Sequence, residues 1–395
     1  MGYARELVSL MSFSLYVHIP YCQSKCPYCD FNSYGVTAWP EAEYVGALIA
    51  EMTCRATTPP WAGQRIKTIF FGGGTPSLFA PDSIGSMIEA ADRLLGIEHG
   101  AEVTLEANPG TVTGAKLLGF EAAGVNRISF GAQSFDSAIL SFLGRIHDAD
   151  EIREAARLAH RAGFERLNLD LIFAVPGQQI EHVRRDIAEA AALGPDHISA
   201  YNLTFEEGTA FFSEMKRGRI RPLPTDEQAA MYDEVRSELP RRGYPMYEIS
   251  NYARPGHEAR HNLSYWRAES YLGVGAGAHS CALDEDFCHG RRWWNERLPG
   301  RYMARVNDKG TAEAGFELIE KKTLEEEFVF LNLRLRDGFQ MLEFAQRFGE
   351  TFDARFGNVA APLVEGGLLV REQGRIFLTD RGLEIADSVF AEFVA

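Results

Sequence analysis

The sequence predicts an α/β fold: six parallel strands with intervening helices, curled into an incomplete (β/α)6 barrel, then an irregular stretch and a small α+β domain at the C-terminus. Three observations carry this. From about residue 14 to 205, a short β-branched or aromatic run, a Gly or Asn turn and an Ala-rich amphipathic segment recur in that order. Beyond Pro222 and Pro224 the rhythm stops. Over 320–395 it gives way to segments of helical spacing followed by a hairpin pattern.

The strands are SLYVHI at 14–19, KTIFFG at 67–72, EVTLEA at 102–107, RISFGA at 127–132, RLNLDLIF at 166–173 and HISAYNL at 197–203. Helical stretches fall near 40–54, 81–95, 113–123, 149–162 and 179–193. Right-handed crossovers between such strands give a parallel sheet, although spacing alone does not separate a partial barrel from an open doubly wound sheet. In both, ligands sit at the C-terminal ends of the strands. Residues 1–224 are assigned to the barrel and 225–319 to an irregular extension rich in Gly, aromatic residues and Arg. In 320–395, TLEEEFVFLNLRL and LEFAQRF have helical spacing, and GLLVREQGRIFLTDRGLEIADSVF reads as a hairpin turned at Gln373 and Gly374 and followed by a helix. This domain resembles a winged-helix module. Its acidic side chains outnumber its basic ones, so packing or partner docking is expected of it and DNA binding is not.

A chain of 395 residues with 46% hydrophobic content buries one large core and a smaller one. A net charge of −15 argues against a nucleic-acid backbone or an anionic membrane as a general partner. No uncharged apolar run reaches membrane-spanning length, and the N-terminal stretch lacks the features of a secretory signal, so a cytoplasmic protein is expected. Three of the six cysteines fall within eight positions, which is not a disulfide framework. Cys54, Cys281 and Cys288 are given no role, being of the kind that packs as small buried apolar groups.

The strongest chemical signal is YVHIPYCQSKCPYCDF, in which Cys22, Cys26 and Cys29 follow C-x3-C-x2-C on a loop directly after the first strand. Three thiolates at this spacing can wrap three corners of a 4Fe–4S cubane, leaving the fourth iron open. A structural zinc site takes four closed ligands, and no fourth cysteine or histidine is near except His18, inside the strand.

This loop, with Tyr28 before its third cysteine, resembles the radical S-adenosylmethionine (SAM) superfamily. GGGTPS at 72–77, LEANPG at 105–110, RISFGAQSF at 127–135, LGRIH at 143–147 and NLDLIFAVPGQ at 168–178 follow in the order of its coproporphyrinogen oxidase-like branch. HNLSYW at 261–266 and GVGAGAHS at 273–280 extend the likeness beyond the barrel. The resemblance implies a radical SAM barrel, a 4Fe–4S cluster on Cys22, Cys26 and Cys29, and SAM chelating the open iron. It implies a SAM pocket of Tyr16, Tyr28, Gly72, Gly73, Gly74, Thr75, Glu106, Gln133, Arg145, Asp170 and Thr204. The physical fit is reasonable: glycines admit a ligand close to backbone, Glu106 can accept from ribose hydroxyls, and Arg145 offers a planar fork to a carboxylate. Taken singly, each is equally a tight turn, a strand-end cap or a surface ion pair.

Two functions occur within the branch: oxygen-independent coproporphyrinogen III oxidase, which decarboxylates propionates in heme synthesis, and heme chaperone, which binds heme and passes it to an acceptor protein. The oxidases continue the cysteine motif to a fourth cysteine where this chain has Phe31, and begin with a longer arm than the roughly 14 residues before the first strand here. HNLSYW matches the HNxxYW motif of the chaperones. The likeness therefore implies heme as a third ligand, with His261 on its iron and Tyr265 and Trp266 against the ring. The residues by themselves also fit a turn histidine among core aromatics. His18 and His279 are assigned nothing. The expected partner is a heme acceptor, such as a respiratory heme protein, docked at the C-terminal domain. Membrane contact arises only through it, and the protein is a monomer or weak dimer. Whether the radical apparatus is used in catalysis is left open. Ala174 and Val175 depart from a family pattern that has Gly and Leu there, implying a small shift in the loop after the fifth strand.

Overall fold

The computed structural model describes residues 12–284 and 286–394. Residues 1–11, where the N-terminal stretch read for a secretory signal begins, lie outside them. Six strands, β1 Ser12–Ile19, β2 Arg65–Gly73, β3 Ile97–Ala107, β4 Arg127–Gln133, β5 Arg166–Phe173 and β6 His197–Asn202, lie side by side in chain order, each pair parallel. A doubly wound sheet reverses its strand order at a switch point. This one does not reverse, so the alternative left by spacing is settled in favour of a partial barrel.

The strands alternate. Leu15, Ile69, Leu105, Ile128, Leu167 and Ile198 are fully buried on the outer face, packed with Leu48, Met87, Leu117, Ile152 and Ile187 of the surrounding helices. Each such side chain contributes roughly 1.5–3 kcal/mol. The opposite face is polar: Ser14, Thr68, Glu102, Ser129, Asn168, Asp170 and His197 bond one another or neighbouring chain inside the barrel. The helices are delimited by local chemistry. Helix Ala149–Ala162, for instance, starts in a capping box between Asp148 and Glu151 and ends at Gly163, whose φ of 97° suits glycine.

The stretch expected to be irregular differs from that expectation. After helix Thr225–Arg241 come strands β7 Met246–Glu248 and β8 Asn251–Ala253, of which β8 pairs antiparallel with β6 and β7 pairs antiparallel with β8 at the sheet edge. Strand β9 Tyr271–Val274 pairs parallel to β1 at the other end, followed by antiparallel β10 His279–Leu283, β11 His289–Asn295 and β12 Glu313–Glu320. One 12-stranded sheet results. Short helix Arg260–Trp266, carrying HNLSYW, is joined to the barrel at Glu102 on β3, which accepts from the N–H groups of Arg260 and His261.

The C-terminal part has its own core, in which Phe328, Phe339, Phe344, Phe348, Phe352, Phe356 and Phe393 contact one another mostly edge to face. Its hairpin, Leu369–Glu372 with Arg375–Leu378, turns at Gln373 and Gly374, both at positive φ (50° and 79°). Such a pair makes the two-residue turn that matches strand twist. Among the described residues no helix is long and apolar enough to cross a membrane.

Candidate cofactor site

A cavity of about 400 Å³ opens at the C-terminal ends of β2–β6, and Cys22, Cys26 and Cys29 all line it. Their loop is held by backbone and side-chain bonds: Cys29 N–H donates to Cys26 O (3.1 Å), and Lys25 Nζ donates to the carbonyls of Phe31 and Ser33 (3.0 Å each). Thr75 Oγ1 donates to Cys22 Sγ at 3.5 Å and Arg145 Nη1 to Cys26 Sγ at 3.2 Å. Burial raises the Cys22 and Cys29 thiols above their ordinary value. Among the described residues no three His, Cys, Asp or Glu side chains stand close enough to grip a single metal ion. Three thiols spread around one cavity, with no fourth ligand, fit the corners of a cubane rather than a closed zinc site.

The glycine run is shaped for close approach. Gly73 has a φ of 114°, and a Cβ there would lie 2.5 Å from the His18 ring; a Cβ on Gly74 would lie 2.6 Å from Tyr21 O. Gly73 N–H donates to Glu106 Oε2 (3.2 Å), Gly74 N–H to Ile19 O (2.7 Å) and Thr75 N–H to Tyr21 O (2.8 Å). Those donors are spent internally, and what the run offers an ammonium group, which only donates, is its carbonyl oxygens. Glu106 is half-buried at the cavity wall, and desolvation, aided by nearby Asp170, pushes its carboxyl up to about 8. Asp170 is raised by burial as well, while Ser129 Oγ (3.1 Å) and Asn168 Nδ2 (2.8 Å) donate to it.

Two buried polar atoms facing this cavity have no partner: Gln133 Oε1 and Arg145 Nε. Gln133 also sits at a φ of 69°, a conformation that disfavours a side chain and that recurs where function requires it. Arg145 is aimed by Gly131 O (3.0 Å) and by Asn108 Oδ1. A cavity with an orphan acceptor, an orphan cation donor, two raised carboxyls and a glycine cradle fits a polar zwitterionic cofactor beside a cluster.

Of the residues expected around SAM, Tyr28, Gly73, Gly74, Thr75, Glu106, Gln133, Arg145, Asp170 and Thr204 line the cavity. Tyr16 and Gly72 do not. Gly72 is a packing glycine, where a Cβ would press on Phe70, Tyr16 and Glu106, and the Tyr16 hydroxyl is turned to His18 Nδ1 (2.9 Å). Sequence reasoning missed Asn108, Ser129 and Tyr201; the signals available were positional, Asn108 directly following the third strand and Tyr201 lying one residue from the end of the sixth, whereas Ser129 lies inside its strand.

The expectation for His261 needs correction. It is 1% exposed and is not among the residues lining the cysteine-loop cavity; Nδ1 lies 2.8 Å from Thr68 Oγ1, and Nε2 lies 3.0 Å from the Tyr265 hydroxyl. Thr68 gives its one hydrogen to Ser14, Ser14 to Ser264, and Ser264 to Arg260 O. Thr68 therefore accepts from His261 Nδ1–H, and the remaining lone pair, on Nε2, is capped by Tyr265 O–H. No nitrogen is left for iron in this arrangement. Trp266 packs under the Arg334 guanidinium, 4.3 Å from it.

Comparison with known proteins agrees with this architecture. Residues 16–190 match the radical SAM superfamily and residues 319–385 the HemN C-terminal domain. The chain is 36% identical over 383 residues to a Bacillus subtilis protein named heme chaperone HemW, covering 96% of this chain and 99% of that one. The Escherichia coli protein of the same name is 36% identical over 389 residues (94% and 97%). A mitochondrial radical S-adenosyl methionine domain-containing protein 1 from Bos taurus is 34% identical over 391 residues (97% and 87%). The structure of E. coli coproporphyrinogen III oxidase (HemN), described as a radical SAM enzyme, superposes with a TM-score of 0.82 at 23% identity, covering 97% of this chain and 90% of that one; it shares the fold. By this likeness over nearly its whole length, the chain belongs to the HemW family of the radical SAM superfamily, whose fold carries a 4Fe–4S cluster and SAM.

Proposed function

We propose that this protein is a heme chaperone, which binds heme and releases it to a heme-accepting protein while keeping a 4Fe–4S cluster and SAM in the barrel cavity. The observation that carries the reading is full-length likeness to proteins named heme chaperone. Phe31, where the oxidases carry a fourth cysteine, supports it.

On this reading Cys22, Cys26 and Cys29 hold three irons and SAM takes the fourth, a pair that supplies one-electron chemistry when bound. The carbonyls of Gly73 and Gly74, which line the cavity, would accept from the cofactor's amino group, with Gly72 packing behind them. Arg145, with its free Nε and its contact to Cys26 Sγ, brings positive charge to both carboxylate and thiolate. Glu106, neutral at pH 7, and Asp170 meet the ribose, Gln133 Oε1 accepts from the cofactor, and Tyr28, Thr75 and Thr204 close the wall. Tyr16 acts from behind, against Gly72. The HNxxYW motif works as scaffolding: His261 pins the Tyr265 hydroxyl and so fixes that ring. The protein acts in the cytoplasm, and its acceptor, a respiratory heme protein among those expected, docks on the C-terminal domain.

The test is transfer. Anaerobically reconstituted protein is loaded with hemin and mixed with a heme-free acceptor, and the Soret spectra of the separated proteins are followed. Movement of heme to the acceptor is expected, and so is the absence of decarboxylated porphyrin when coproporphyrinogen III, SAM and a reductant are supplied. Catalytic decarboxylation by protein with an intact cluster would make it an oxidase instead.

A further inference from the structure

A second cavity, of about 640 Å³, lies on the other side of the cysteine loop, between that loop and strands β9–β11. Its volume falls within the ~300–1,000 Å³ typical of small-molecule sites. Tyr16, Tyr265, Tyr271 and Trp294 give it aromatic walls, and His279 and Arg297 contribute an imidazole and a guanidinium. Arg297 is exposed and makes no ion pair among the described residues. Aromatic walls, a nitrogen ligand and an unpaired cation are what a flat metal-bearing macrocycle with carboxylate arms requires.

Lone pairs decide which histidine can serve. Three stand at or behind this cavity. His18 donates Nε2–H to Asn32 O (2.9 Å) and accepts from Tyr16 at Nδ1, and His261 is closed by Thr68 and Tyr265. His279 is exposed, its ring 6.0 Å from that of Trp294 and tilted 30° to it, and neither of its nitrogens has a hydrogen-bond partner among the described residues. Partial desolvation of the ring on its cavity side, then the nearby Arg292 and Arg297, lower its pKa, which favours the neutral, ligating form. The adjoining cavity of about 340 Å³, which shares Tyr265 and Tyr271, is smaller. Its one soft ligand, Cys281, is pushed by burial up to about 11 and so stays protonated.

We propose that the heme of the preceding reading sits in the 640 Å³ cavity, with His279 as its axial ligand, Trp294 and Tyr265 against the macrocycle and Arg297 on a propionate. The inference rests on the chaperone reading and adds the site to it.

The test is an anaerobic hemin titration of the full chain with its cluster reconstituted. His279→Ala is expected to weaken affinity at least tenfold and shift the Soret band, and added imidazole is expected to restore the wild-type band. His289→Ala, another exposed histidine outside the cavity, serves as the control and is expected to match wild type. If wild type binds hemin and His279→Ala matches it in both affinity and Soret position, the site is wrong while the chaperone reading stands. If wild type with an intact cluster binds no hemin at all, the chaperone reading falls, and this proposal with it.

Discussion

The barrel lumen and the C-terminal core are both buried, yet they are built from opposite materials. The lumen is lined by carboxylates, amides, hydroxyls and imidazoles, and leaves Gln133 Oε1 and Arg145 Nε unsatisfied. The C-terminal core is apolar throughout, built of leucine, isoleucine and valine around seven phenylalanines in mutual contact. A dry core of this kind gains free energy from every methylene it buries. A polar lumen gains little, because each group trades a bond to water for a bond to protein. What the lumen gains is readiness: unmet donors and raised carboxyls are assets once a polar cofactor arrives. The same chain thus divides its buried residues between stability and binding.

That division predicts which substitutions act on loading and which on folding. The largest effect is on loading: Cys26→Ala is expected to abolish the 4Fe–4S cluster, measured as iron, sulfide and visible absorption after anaerobic reconstitution, with the cluster-free protein melting as before. A normal cluster in that variant would remove Cys26 as a ligand. Next, Phe344→Ala in the C-terminal core should cost ~3–5 kcal/mol in denaturant unfolding of that part without changing cluster content. Equal loss of the cluster would show that the two regions are not separable. His261→Ala crosses the boundary, since it removes the donor to Thr68 Oγ1, which keeps only its bond to Ser14, and the acceptor of the Tyr265 hydroxyl. Roughly 2–4 kcal/mol of destabilisation is expected in the cluster-free protein, so weaker heme binding by that variant does not by itself identify a ligand.

Glu106 gives a pH signature. Its folded pKa, near 8, lies above the ordinary carboxylate value, so its favourable contribution is complete below about pH 4.5 and is lost as pH rises through 8. Glu106→Gln should therefore melt close to wild type at pH 5 but higher than wild type at pH 9, by an amount on the order of 2 kcal/mol, while binding SAM more weakly. A pH-independent difference would place the carboxyl outside the desolvated lumen. The smallest effect concerns Ala174, which is at a φ of 61°. Ala174→Gly relieves left-handed strain of ~1 kcal/mol and gives up one buried methyl, so a change within ~1 kcal/mol is expected. Ala156→Gly inside a helix should by contrast cost ~1 kcal/mol or more.

Much of the barrel was legible because its strands alternate strictly and its helices are amphipathic, two periods that survive in a single sequence. Strand β3 begins at Ile97, ahead of the expected 102, because Glu98, His99 and Gly100 carry no alternation. Strands β7–β12 were read as irregular for a related reason: several span only three to five residues, and the turns between them pass through glycines at positive φ, such as Gly275 and Gly277. In the site, the cysteines and strand-end residues were visible as motif positions. His261 misled because a motif specifies a residue type, whereas ligation depends on where its lone pair points. That direction is set by Thr68 and Ser14, which are distant in sequence, together with Ser264 of the same short helix. His279 was passed over because exposure and the absence of partners cannot be read from neighbours along the chain.

Phe31 lines both cavities, and the amide of Asn32 next to it ties the cysteine loop to Ala276 O and Arg297 O at the rim of the second (2.9 Å each). One short stretch of backbone is thus a shared wall, and thermodynamic reciprocity then applies. Whatever factor cluster assembly applies to heme affinity, heme must apply to the cluster's hold on the protein. The equilibrium partition of iron between the protein and a chelator, with and without heme, therefore reports the same coupling, taken from the opposite side of that wall.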